Sequence, residues 1–132
     1  MNSIFHHFIP PNTFYPPSKV AEALQLIFGD LLNVEWFDED GFYEAVFYHQ
    51  EMECIARFND AGELLVSKRN LPLHVVRPAI ARQALAVGEL MNLIEISQQG
   101  TIHYEIIARD KYLDRYFLLL EEDGTVLEKR KL

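Results

Sequence analysis

Hydrophobic and polar positions change period along this chain, and the changes mark the elements. From Ser18, which can cap a helix, Val20, Ala23, Leu24, Ile27 and Phe28 recur at spacings of three and four, and Gly29-Asp30 stops the pattern. The spacing predicts a helix. Alternation follows in four runs, Val34–Phe37, Phe42–Tyr48, Met52–Phe58 and Leu64–Lys68. Asp40-Gly41, His49-Gln50 and Asn59-Asp60-Ala61-Gly62 separate them, which is hairpin chemistry. Leu71-Pro72 then leads into a second helical pattern with Val75, Val76, Ala79, Ile80 and Leu85 on one side. Pro78 within it requires a late start or a kink. Four more strands are expected near Asn92–Ser97, Thr101–Arg109, Tyr112–Leu120 and Thr125–Lys131.

The two halves resemble each other. Val34-Glu35-Trp36 aligns with Ile94-Glu95-Ile96, Tyr43-Glu44-Ala45 with Tyr104-Glu105-Ile106, and Asp60-Ala61-Gly62 with Glu122-Asp123-Gly124. The fold expected from this is α+β: a tandem repeat of a helix plus a four-stranded antiparallel meander, with both helices packed on one face of the sheet. The expected layout is an arm at residues 1–17, a first repeat at 18–70 and a second at 71–132, in a single compact domain. The arm combines Pro10, Pro11, Pro16 and Pro17 with Ile4, Phe5, Phe8, Ile9, Phe14 and Tyr15, so it reads as an extended segment on an apolar surface.

In this order and spacing, the motifs Val34-Glu35-Trp36, Gly41 to Phe47, Ala56 to Leu65, Tyr104-Glu105-Ile106 and Glu122-Asp123-Gly124 resemble the PepSY-like proteins, also described as beta-lactamase-inhibitor-protein-like (BLIP-like). The resemblance spans about residues 17–132. It implies an α+β fold and a non-enzymatic bacterial module, often periplasmic or secreted, that binds proteins or peptidases. It carries no catalytic residues to transfer.

Charge and composition narrow the chemistry. The 132 residues include 20 acidic and 12 basic side chains, for a net charge of −8. Residues 1–66 carry net −9 and residues 67–132 net +1. Such a balance disfavours nucleic acid and favours a basic partner or a cation. One cysteine, Cys54, excludes an internal disulfide and a cysteine-based zinc site, and it has no nucleophile motif around it. His6, His7, His49, His74 and His103 show no metal-ligand spacing, and the acidic turns lack the alternation of a calcium loop. No enzyme signature occurs, and no cofactor or metal is expected. No apolar run spans a membrane, and the first residues lack the features of a signal peptide. The expected location is cytoplasmic as the sequence stands, or periplasmic or secreted if a leader has been removed.

Strand alternation supplies the functional expectation. Tyr43, Ala45 and Phe47 facing the helices would turn Phe42, Val46 and Tyr48 away, and the same register exposes Ile55, Arg57, Ile107, Phe117 and Leu119. One wet face of an antiparallel sheet should be polar. This one is not, and its mixture of aromatic, aliphatic and Arg side chains suits an interface. The chain therefore reads as a non-catalytic protein-binding module, inhibitor-like, with Phe42, Tyr48, Arg57, Ile107 and Phe117 on the binding face. The occupant would be a protein partner or a second copy in a homodimer. The alternative is a small-ligand or cation-binding protein using the acidic first half.

Overall fold

Turn chemistry orders the strands. A computed structural model describes residues 14–132. Helix α1 spans Ser18–Phe28, followed by strands β1 (Glu35–Glu39), β2 (Phe42–His49), β3 (Met52–Phe58) and β4 (Leu64–Asn70). A 3-10 turn at Leu73–Val75 precedes helix α2 (Pro78–Val87), and β5 (Glu89–Gln98), β6 (Thr101–Arg109), β7 (Arg115–Glu121) and β8 (Val126–Lys131) complete the chain. Each strand pairs antiparallel with the next in sequence, so all eight form one sheet in the order β1 to β8.

The expected class is corrected by this topology. Half of the described residues lie in strands, against two short helices, so the fold is mostly β and not a tandem helix-plus-four-strand repeat. Strand β4 pairs directly with β5, from Ser67 opposite Ser97 to Asn70 opposite Ile94. That ladder satisfies two edges that would otherwise be open, and the sheet is continuous. The internal likenesses in sequence reflect what any hairpin sheet needs, alternation and Gly, Asn or Asp at the turns.

Both helices lie on one face. Helix α1 buries Val20 and Leu24 against Trp36, Ala45, Phe47, Cys54, Ala56 and Phe58. Helix α2 buries Ile80 and Ala84 against Leu93, Tyr104, Ile106, Leu118 and Leu120. Full burial of each aliphatic side chain contributes about 1.5–3 kcal/mol. Ser18 does not cap α1: Pro17 holds that position, and its carbonyl accepts the Val20 and Ala21 amides at 2.9 and 3.2 Å. Pro78 starts α2 at its first turn, where no amide hydrogen is needed, so the helix begins late and does not kink. Val75 therefore falls in the 3-10 turn, and Leu85 is 73% exposed.

The expected arm lies mostly outside the described residues. Within them, Phe14 stacks on Tyr43, with ring centroids 6.0 Å apart. Strand β7 begins three residues later than expected. Asp110 Oδ1 accepts the Tyr112 and Asp114 amides at 2.9 and 3.0 Å and folds that stretch into the turn.

Candidate functional site

The side of the sheet opposite the helices is the candidate site. Cross-strand register defines it. One row of outward side chains runs Glu35, Val46, Ile55, Lys68, Ile96, His103 and Glu121 across β1 to β7. A neighbouring row runs Asn70, Ile94, Glu105, Leu119 and Glu128. Aliphatic side chains recur in both, flanked by charge. Among the described residues no helix covers this side, yet Ile96 is only 8% exposed. Its neighbours close over it. Beside it lies an open hollow of about 310 Å³, lined by Arg57, Val66, Lys68, His103, Glu105 and Leu119 among others.

Two arginines on this face are held in place. The Arg57 guanidinium sits 5.2 Å from the Phe42 ring centre, and its Nε donates to Glu44 Oε2 at 2.8 Å. Arg130 sits 4.5 Å from the Phe117 ring centre, and its Nε donates to Glu128 Oε2 at 2.9 Å. Each cation–π contact contributes about 0.5–1 kcal/mol at such partly exposed positions. The larger consequence is geometric, because stacked and ion-paired arginines have little rotamer freedom left to lose on binding. Lys68 pairs with Glu105 at 3.4 Å across the hollow. The outward positions of β1 to β3 hold Glu35, Glu39, Glu44 and Glu53 against Arg57, so that end is acidic.

The five residues expected on the face sort into three places. Phe42 and Arg57 touch each other. Ile107 and Phe117 are direct cross-strand partners beside Arg130. Tyr48, 61% exposed, stands at the far end of β2 from Phe42, over a separate hollow with Glu53, Asn70 and Pro72. Val66, Lys68, Ile94, Ile96 and Arg130 complete the face and were not anticipated. Extending the alternation through β4 finds Val66 and Lys68. For Ile94 and Ile96 alternation alone misleads, because it would send these isoleucines inward and Glu95 out.

The helix side holds the remaining polar chemistry. Glu95 Oε1 accepts from Arg69 Nε at 2.6 Å, and its Oε2 accepts from the Tyr104 hydroxyl at 3.3 Å. Cys54 lies nearby, buried, and burial pushes its thiol pKa up while Arg69 pulls it partly back. Among the described residues no three His, Cys, Asp or Glu side chains are placed to hold a metal ion. No described helix is long and apolar enough to cross a membrane.

Comparisons with known proteins place the fold. No family model matches the sequence, and no curated protein matches it significantly. Solved structures do match. A protein from Bacteroides eggerthii, provisionally described as periplasmic, superposes with a TM-score of 0.80 at 18% identity, covering 89% of this chain and 90% of that one. A DUF2874 family protein from Bacteroides ovatus gives 0.77 at 18% identity, covering 89% of each chain. A BLIP-like protein from Bacteroides fragilis gives 0.74 at 13% identity, covering 90% of this chain and 88% of that one. At such identities the likeness is one of fold: the BLIP-like side of the resemblance has a structural counterpart, and the PepSY-like side has none among these structures.

Proposed function

We propose that this protein is a non-catalytic protein-binding module, inhibitor-like in mode, that captures its partner on the helix-free sheet face. The observation that carries this reading is the set of half-buried aliphatic side chains Val46, Ile55, Ile94 and Leu119 around the buried Ile96, turned away from both helices and with no described helix over them. An apolar strip in that position is stabilised by a cover. The pre-set Arg57 and Arg130 frame it, and the acidic outward positions of β1 to β3 favour a partner with basic residues around an apolar protrusion. The BLIP-like fold supports a binding role. The provisional description of the Bacteroides eggerthii neighbour favours a periplasmic location.

The test uses Phe42→Ser and Phe117→Ser, with Leu85→Ser on the helix side as control. Neither phenylalanine belongs to a core cluster, so each variant should keep its fold and lose about 1–2 kcal/mol of stability. Purified from the native host with its partner, the wild-type and Leu85→Ser proteins should retain the complex in light scattering, and both face variants should lose it. Unfolding of both face variants would place these residues in the core and end the reading. Complexes that survive both substitutions would end it as well.

A further inference from the structure

Helices α1 and α2 leave a gap over β4 on their side of the sheet. The gap is a cleft of about 220 Å³. Its floor is polar, made by the cross-strand pairs Ser67–Ser97 and Arg69–Glu95. Phe28 and Cys54 form an apolar wall, and His49 stands against Phe28 with ring centroids 5.5 Å apart.

Hydrogen-bond accounting defines what would fit. Both Glu95 oxygens are engaged, by Arg69 and Tyr104. Arg69 uses only Nε, and its other guanidinium nitrogens have no hydrogen-bond partner among the described residues. The one carboxylate lining the cleft is consumed, while strong donors remain on Arg69. A guanidinium fixed by one carboxylate offers its remaining edge to a second acceptor, and a planar two-oxygen group suits it best. The Arg69 side chain is 44% exposed and lines the cleft, so a ligand can reach it from solvent. Cys54 keeps its proton, since burial raises its pKa, and so presents an apolar surface.

We propose that this cleft binds a small organic carboxylate, its charged end on Arg69 and its apolar body against Phe28 and Cys54. The volume limits the body to about one ring or a short branched chain. The cleft is on the opposite side of the sheet from the proposed partner face, so the two readings stand or fall separately.

Benzoate is the probe, and benzamide is its uncharged counterpart. Titrated into the isotope-labelled full chain, benzoate should give saturable amide shifts centred on Ser67, Arg69 and Ser97, and benzamide should give none. Arg69→Gln should weaken benzoate at least about tenfold, the loss of one charge-assisted pair. That substitution also strips Glu95 of its cation, so Ser67→Leu serves as a second variant. It fills the cleft, leaves the ion pair intact, and should abolish the shifts with the fold retained. Absent benzoate shifts, equal shifts from benzamide, or shifts that persist in folded Ser67→Leu overturn the proposal.

Discussion

At the scale of single residues, two glycines show how tightly the helices sit on the sheet. Gly62 and Gly124 occupy the β3–β4 and β7–β8 turns with φ of +84° and +93°. A Cβ at Gly62 would lie 2.9 Å from the Lys19 carbonyl oxygen, and one at Gly124 would lie 2.8 Å from that of Ala79. Backbone of a docked helix cannot yield as a side-chain tip can. Gly100 has a similar φ of +79° with nothing within 4 Å of its Cβ position. Gly100→Ala should therefore cost only the left-handed conformation, about 1 kcal/mol. Gly124→Ala adds a helix displacement and should cost at least about 2 kcal/mol more. Thermal melts of the two variants measure the difference, and equal midpoints would mean that α2 is not seated on this turn. The sequence marked both glycines as turn residues. It could not mark the second constraint, because the helix that approaches each one lies 43 or more positions earlier in the chain.

At the scale of elements, what was legible depended on whether local pattern or pairing decides. Strand and hairpin positions followed from alternation and turn residues, because these are local rules. Burial on β2, β3, β6 and β7 followed the same alternation, with Ala45, Phe47, Ala56, Phe58, Ile106 and Leu118 all buried. Strand β5 was not legible this way. In Leu93-Ile94-Glu95-Ile96 three of four residues are apolar, and only the pairing of Glu95 with Arg69 and Tyr104 decides that Ile94 and Ile96 face outward. Part of the candidate face was hidden by that reversal. The outer edge, in contrast, advertises itself. Every residue of strand β8 is exposed; the strand carries Lys129, Arg130 and Lys131, and has a register shift against β7 between Leu119 and Leu120. Charge and irregularity on an edge strand oppose pairing with another chain. Replacing Lys129 and Lys131 by Val should thus leave the melting midpoint close to that of wild type, as their ion pair and ring contact are exposed. The double variant should nonetheless aggregate with concentration in light scattering. A variant that stays monomeric would show that β8 does not need this protection.

At the scale of the molecule, the question is whether one sheet with two apolar clusters behaves as one unit. The clusters under α1 and α2 share no buried residue. They are joined, however, by an unbroken row of inward side chains: Phe47, Cys54, Arg69, Glu95, Tyr104 and Leu120 are successive cross-strand partners. The middle of that row is the ion pair, and its ends lie in the two clusters. Neither cluster is large enough to support some sixty residues with a comfortable margin, since small units bury too little of their surface. Opening the β4–β5 ladder would also create two bare edges, so separation of the halves is penalised from both sides. The expected outcome is a single calorimetric transition whose enthalpy matches the van 't Hoff value. Val20→Ala in the first cluster and Ile80→Ala in the second, each removing a side chain with 0% exposure, should lower that same midpoint. Their costs should fall at about 2–5 kcal/mol for Ile80 and somewhat less for the smaller Val20. Two transitions, each moved by only one of the substitutions, would instead show two independent units and refute the cooperative sheet. One shared midpoint would mean that a load placed at Arg57, on the proposed partner face, is borne by the same structure that holds Phe117, which a rigid binding surface requires.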